Sequence, residues 1–503
     1  MVFMRILSTA VVGMMLSLAG PLVAQQAAMP AAARSALDAL LDRAVSQELV
    51  PGFGIAIVRD GAVIYQRGVG WADREAKRRV DADTLFYIAS CTKSMTALAT
   101  VLLDRAGALK LDATIADILP GARLATGLDP TRITVRQLLT HTHGIAGDGP
   151  VPYRSAFSGE IERESLIRAM AAHQPAANGT AYSYSNLGYN ILSLGIDRVA
   201  KKPWQDVLAE RVFRPLGLKA TSARVSELPA GRLAMPYRAE PEGMARLPYG
   251  KTDTNMQAAG GVIASIGDLA RYVTVFMDGG MLDGRRVFPA DVIAETQKVQ
   301  AKFSARSGDI ERTGYGLGWN FGTLDGETVV HHGGGFPGFS AYLSFIPTRR
   351  IAVVVAGNGA FSPQVQDVVM AYAYALLTGN KAAIARVEQN ISLMPARAAE
   401  NRKSIAADRA RRAARPQTTA LPVSAFVGRY ANDVFGTLDV SLRDGRIHVK
   451  NGVLESVAEV FDGAKNALRV ELTPGTGGVL EFHAAEGRIT AVSFAGARLE
   501  RVK

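Results

Sequence analysis

Residues 85–93 read Leu-Phe-Tyr-Ile-Ala-Ser-Cys-Thr-Lys, an apolar stretch that runs into Ser90-Cys91-Thr92-Lys93 and then into an apolar helical pattern over Ser90–Ala106, with Gly107 as its stop. On a helix, positions i and i+3 share a face, so Lys93 reaches Ser90. A serine at a helix N-terminus feels the positive end of the macrodipole, which favours a developing anion. A buried lysine loses its charge readily and can then take the serine proton. A serine and a lysine three apart also arise by chance, as a helix cap beside an exposed lysine. The reading therefore needs partners elsewhere in the chain.

Two further stretches supply them. Tyr184-Ser185-Asn186 offers a phenol for proton transfer, if nearby cations depress it, and an amide that both donates and accepts. His331-His332-Gly333-Gly334-Gly335-Phe336-Pro337-Gly338 follows the start of a strand at Thr328–Val330. Its glycines allow a ligand to approach the backbone closely, and exposed N–H groups there can form half of an oxyanion hole.

Around these motifs the chain falls into distinct regions. Residues 1–24 carry one charge, Arg5, followed by an apolar run and small Ala24. This is the pattern of an export signal and implies a periplasmic or secreted protein, with an N-terminal membrane anchor as the alternative. Residues 35–380 are dense in apolar runs. The pairs Phe53–Val58 and Ala62–Gln66 flank Asp60-Gly61, a hairpin signal. Ile351–Gly357 reads as a buried strand beside Tyr342–Pro347, and helical patterns cover Asn186–Val199, Ile266–Met277 and Gln364–Leu377. Strands at both ends with helices between them predict an α+β fold, an antiparallel sheet carrying a helical insertion. Residues 381–420 read as a solvated, Ala/Arg-rich, basic helical linker that tethers the β region with some freedom, and residues 421–503 as a small all-β domain of hairpins turning at Asp444-Gly445 and Glu486-Gly487.

Composition narrows the function classes. The net charge is +11, and more than half of that excess lies between Lys381 and Arg415, where nine Lys or Arg face three acidic residues. No aromatic residue is interleaved there, which argues against nucleic-acid binding. A single cysteine, Cys91, excludes intrachain disulfides and cysteine-cluster zinc sites. As the residue after Ser90 it reads as a packed small hydrophobe. No G-x-S-x-G, phosphate-binding loop or complete dinucleotide fingerprint occurs, and Ile145 stands where an H-x-H-x-D metal motif needs Asp. Neither metal nor cofactor is expected.

Taken together and in order, Ser90-x-x-Lys93, Tyr184-x-Asn186 and His332-x-Gly334 resemble the serine β-lactamase and penicillin-binding protein family, and most closely its class C-like branch with esterases and D-amino-acid peptidases. The stretches Ile133–Ile145, Ala258–Leu269 and Tyr315–Trp319 resemble the same branch, and the region after Leu421 is similar to the lipocalin-like β domain appended to some members. The resemblance implies an acyl-enzyme mechanism. In it Ser90 is the nucleophile and Lys93 its base, Tyr184 relays protons, and Asn186 holds Lys93 and the substrate. His332 occupies the Lys-or-His position of the edge strand, beside Gly333 and Gly334 at the substrate. The N–H groups of Ser90 and Gly335 form the oxyanion hole. Relatives use K-T-G in the third motif to bind a carboxylate, so His332 and Gly333 argue for small esters, amides or D-amino-acyl compounds over β-lactams. A β-lactamase, a D-Ala-D-Ala carboxypeptidase and a non-catalytic sensor are the other readings. His143, where relatives have serine, has no role at this level.

Overall fold

The computed structural model describes residues 28–159, 163–359 and 362–502. The leader reading of residues 1–24 lies outside them. Among the described residues no helix is long and apolar enough to cross a membrane.

The larger body is built on a nine-stranded antiparallel sheet. From one edge its strands are Ala301–Ser307, Ile310–Tyr315, Asn320–Leu324, Glu327–Phe336, Phe339–Ile346, Ile351–Gly357, Gly52–Arg59, Ala62–Asp73 and Arg78–Arg79. Strands from both ends of the region thus meet at the Gly52–Arg59/Ile351–Gly357 pair. The Asp60-Gly61 turn places both residues at positive φ, 50° and 80°, as a two-residue hairpin requires.

Both faces of the sheet are covered, which is why Ile351–Gly357 is buried along its whole length. Phe53, Ile55 and Ile57 face the helices Ala31–Ser46 and Ser362–Thr378, while Ala56 and Val58 face the larger core beneath Ile266–Met277. That last helix begins where the Ser265 hydroxyl accepts from the Asp268 N–H. The helix Thr92–Arg105, which follows Ser90, and the helix Asn186–Ala200 lie within the insertion between the two groups of strands.

Residues 381–413 are helical, as the linker reading expects, but they are packed on the body rather than free in solvent. They form one 33-residue helix, Lys381–Ala413. Ala383, Val387, Ile391, Met394 and Ala398, spaced three or four apart, are buried on one face, which packs against Ser362–Thr378. Several of its arginines also reach carboxylates elsewhere in the chain. Arg386 pairs with Asp309 and Asp325, Arg409 with Glu240 and Glu242, and Arg412 with Asp408 and Glu459.

The C-terminal β region forms a second nine-stranded antiparallel sheet. Its two end strands, Leu454–Val457 and Glu459–Asp462, are joined by Ala458 alone, so the sheet curls until its edges meet and forms a nearly closed barrel. Phe426, Tyr430, Leu438, Val449, Leu480, Phe482 and Leu499 fill its interior. Leu442, which continues the same alternation, is 41% exposed beside the Asp444-Gly445 turn. The barrel docks on the larger body through Tyr153, which stacks on Phe435 at 5.5 Å, and through the Val453 N–H, which donates to the Ser158 carbonyl at 2.9 Å.

Candidate active site

Ser90 sits in a single 3-10 turn, Ala89–Cys91, that leads into Thr92–Arg105. The preceding residue, Ala89, is held at φ 44°, a left-handed conformation that a non-glycine residue adopts only when its surroundings impose it. Gly260 and Gly334 let backbone pack on both sides of this turn. A Cβ on Gly334 would stand 2.1 Å from the Ile88 carbonyl oxygen and 3.1 Å from the Ser90 nitrogen. The strand Glu327–Phe336 is internal to the sheet rather than an edge. Its pairing with Asn320–Leu324 nevertheless ends at His331, so the Gly333–Gly335 half continues with one neighbour and passes the Ser90 turn. Around a Cβ on Gly335 there is open space.

Lys93 is completely buried beneath Ser90. Its Nζ lies 2.8 Å from Asn186 Oδ1, 2.6 Å from the Ala259 carbonyl and 3.1 Å from Ser90 Oγ. Burial pushes the amine well below the usual lysine value. A neutral amine has two N–H groups and one lone pair, and the site matches that inventory: two obligate acceptors, and one hydroxyl able to donate to the lone pair. Asn186 is available for this because the Ser185 hydroxyl caps the helix Asn186–Ala200, accepting from the Leu187 N–H at 3.1 Å. Ala259 belongs to the short helix Gln257–Gly260, which starts from Met256 and Gln257 at φ 63° and 44°.

Tyr184 leaves 40% of its surface open, and its ring lies 4.8 Å from the Lys93 ammonium position. Packing around its hydroxyl pushes the phenol up, while a hydrogen bond with Ser90 and the more distant charge of Arg312 act in the opposite direction. The phenol is therefore protonated at rest, and the condition that nearby cations depress it is not met.

His332 is also placed differently from the expectation of a partly charged group facing substrate. It is buried, its Nδ1–H donates to the Gly333 carbonyl at 2.7 Å, and the Tyr315 hydroxyl donates to its Nε2 at 3.0 Å. Burial pushes it down to about 3, so the imidazole is neutral. Cys91 is buried, its thiol pushed up by desolvation, and its S–H donates to the His332 carbonyl. It is thus packed as the sequence suggested.

Several residues of the cluster escape motif reading. Thr134 and Gln137 form a capping box for Val135–Thr140, whose C-cap residue, His141, takes φ 59°. The His141 ring packs 4.4 Å from Tyr184 and 4.8 Å from Tyr315, and its Nδ1 accepts from the Ser185 N–H. Tyr189 lies under Lys93 at 5.4 Å. Gly318 of the Tyr315–Trp319 stretch permits close approach, since a Cβ there would be 2.6 Å from the Lys93 carbonyl. These residues lie in stretches already singled out, but nothing in a linear pattern marks which side chains turn inward. His143 gains a role: its Nδ1 accepts from the Ile145 N–H at 3.0 Å, and its ring packs where a Cβ on Gly188 would be 2.9 Å away. It shapes the turn after His141. A cavity of about 910 Å³ between the Lys381–Ala413 helix and the barrel contains none of the cluster. Its Arg238, Glu240, Arg412 and Glu459 are already paired with other charges of the chain.

Comparison with known proteins agrees with this geometry. The Beta-lactamase family profile matches residues 37–377, more than half of the chain. "Penicillin-binding protein 4" of Amycolatopsis lactamdurans is 30% identical over 315 residues, covering 62% of this chain and 81% of that protein. "Esterase EstB" of Burkholderia gladioli is 36% identical over 214 residues, covering 40% of this chain and 54% of that esterase. Among solved structures, the octameric penicillin-binding protein homologue from Pyrococcus abyssi superposes with a TM-score of 0.59 at 22% identity, over 93% of this chain and 99% of that one. At that identity the likeness speaks for the fold. With its Ser90–Lys93 pair on this framework, the chain belongs to the beta-lactamase family and is a serine hydrolase.

Proposed function

We propose that the protein hydrolyses small ester, amide or D-amino-acyl substrates through an acyl-serine intermediate. The observation that carries this reading is the bonding of Lys93, whose surroundings suit a neutral amine with its lone pair toward Ser90 Oγ. Ser90 Oγ attacks the substrate carbonyl carbon as Lys93 Nζ takes the hydroxyl proton. The oxyanion forms between the N–H groups of Ser90 and Gly335. As the bond to the leaving group breaks, Tyr184 gives that group a proton and recovers one from Lys93. A water then attacks the acyl-serine, its proton passing back through Tyr184, and Ser90 is released with the carboxylic acid. Asn186 keeps Lys93 in register, and His332 with Tyr315 holds the Gly333–Gly335 backbone against the site. Turnover of short-chain p-nitrophenyl esters and D-alanyl amides by the full chain, measured against Ser90→Ala, tests the reading. Turnover no greater than that of the variant overturns it.

The likeness to a penicillin-binding protein favours a second reading, acylation by β-lactams. Against it stand a neutral His332 and a Gly333 with no hydroxyl for a carboxylate. Intact mass after incubation with a penicillin separates the two. A Ser90-dependent adduct, or opened antibiotic beside unmodified protein, supports the second reading, and intact antibiotic with unmodified protein supports the first. The apolar stretch of residues 1–24 supports an exported protein, and the N-terminal sequence of the mature chain tests that.

A further inference from the structure

Tyr184 belongs to no regular element. Residues 182–185 lead into the helix Asn186–Ala200 without being helix or strand themselves. Backbone outside regular elements is fixed by whatever pairs with its N–H and C=O groups. His141 does this on both sides of Tyr184. Its carbonyl accepts from the Ser183 N–H at 2.9 Å, and its Nδ1 accepts from the Ser185 N–H at 3.1 Å. The side chain thus takes the place of a second carbonyl in a short ladder centred on Tyr184. The two rings also lie 4.4 Å apart.

The support behind His141 is firm. The Tyr189 hydroxyl donates to the Leu139 carbonyl at 2.8 Å, tying the helix Asn186–Ala200 to Val135–Thr140, which His141 ends. The His141 ring is buried, enclosed by Tyr182, Tyr184, Tyr189 and Tyr315. An Nδ1 that accepts leaves the ring proton on Nε2. That N–H is buried and has no acceptor among the described residues. An unsatisfied buried donor is destabilising, so the stability of the turn does not by itself account for a histidine here. The one hydrogen bond its ring makes goes to the backbone between Tyr184 and Asn186. Burial keeps the imidazole neutral, and a proton on Nδ1 would set a donor against the Ser185 N–H.

We infer that His141 is a positioning residue for the proton relay: through the Ser185 N–H, its Nδ1 sets the Tyr184 hydroxyl in line with the leaving group. This rests on the proposed role of Tyr184. His141 gives and takes no proton in the reaction. Its contribution is alignment, and alignment of a proton donor matters only where the departing group needs a proton.

The test compares two esters of one acid in the full chain, p-nitrophenyl butyrate and ethyl butyrate, by kcat/KM, which reports the steps through acylation. p-Nitrophenolate leaves as an anion, whereas ethoxide needs a proton as its bond breaks. His141→Phe keeps an aromatic ring and removes the acceptor. It should lower kcat/KM for ethyl butyrate about 100-fold, as for displacing a reacting group by about 1 Å, and for p-nitrophenyl butyrate by less than about 10-fold. His141→Asn should return both to near the parent values, because its Oδ1 stands where Nδ1 stood and asparagine tolerates the left-handed backbone. Circular dichroism checks folding. Should His141→Phe not fold, His141→Gly takes its place, since glycine accepts the same backbone and has no acceptor, and the same imbalance is expected of it. Equal losses on the two esters overturn the proposal, as do parent-like rates in the variant without the acceptor. So does an Asn variant as slow as that one, for then His141 contributes ring packing alone. Failure of the serine-hydrolase reading looks different: the unmodified protein hydrolyses neither ester faster than Ser90→Ala.

Discussion

Residues at positive φ occur in two settings in this molecule. In the barrel, Asp444-Gly445 and Glu486-Gly487 stand at φ 50° and 72°, and at 51° and 74°, in exposed two-residue turns. Glycine takes the second place in each, and the geometry follows from the turn type alone. Around Ser90, Ala89, Met256 and Gln257 take φ 44°, 63° and 44° while buried, and nothing in their side chains asks for it. Their conformations are imposed by packing between distant segments. The barrel is specified locally, and the site is specified by the whole body pressing on a few residues. That difference is testable at several levels.

The largest effects belong to the site. Ser90→Ala, Lys93→Ala and Tyr184→Phe should each lower kcat by at least about 10³-fold, and the double variants should be little worse than the singles because the groups act as a unit. Steady-state kinetics with circular dichroism checks both activity and folding. A Tyr184→Phe variant with near-normal turnover would remove the phenol from the relay. Next come the adjacent glycines. Gly334→Ala drives a methyl into the Ile88 carbonyl and should lower both the melting temperature and activity, the latter by about 100-fold, as expected for displacing reacting groups by 1 Å. Gly335→Ala meets open space, so its melting temperature should stay near that of the parent. Equal thermal losses in the two variants would mean that the strand does not depend on close approach to the Ser90 turn.

The same contrast explains what could be read in advance. Asp60-Gly61, the all-apolar Ile351–Gly357 and the barrel hairpins carry their signal within a few residues, and the structure agrees with them. Ser90, Lys93, Tyr184 and Asn186 were identifiable as residue types in a known order, and they do meet in space. The carbonyl of Ala259 and the ring of His141 were not, because backbone acceptors and a single ring at a helix C-cap leave no periodic mark. His332 was legible by position but not in its charge, which depends on burial and on Tyr315. The Lys381–Ala413 helix had a readable stripe at Ala383, Val387, Ile391 and Met394, hidden by the attention its arginines draw.

Lys93 joins stability to catalysis with opposite signs. Its amine titrates well below the usual lysine value in the folded chain and near that value when unfolded. Between those two points the unfolded chain binds one more proton, so stability should rise with pH across the window and level off above it, by up to about 1.4 kcal/mol for each pH unit spanned. Lys93→Met should abolish activity, flatten that dependence and melt higher than the parent at neutral pH. The kcat/KM profile should carry an acid limb displaced well below the lysine range, as the neutral amine is the working form. A parent and a Lys93→Met variant with the same pH dependence of melting would mean that Lys93 is charged in the folded protein.

The smallest effects come from the two kinds of positive-φ residue themselves. Gly445→Ala in the barrel should cost about 1 kcal/mol, the usual penalty of a side chain in the left-handed region, without touching activity. Ala89→Gly removes a penalty of that size but adds freedom to the unfolded chain, about 0.4–1 kcal/mol, so the two nearly cancel and the melting temperature should move little. Its informative readout is kcat. If the strained turn holds Ser90 Oγ toward Lys93 by its own stiffness, glycine there should slow the reaction a few-fold while KM stays put. If kcat is unchanged as well, the position of Ser90 is fixed by Gly260 and Gly334 packing around the turn, and the strain at Ala89 is a consequence of that packing rather than a device of the site.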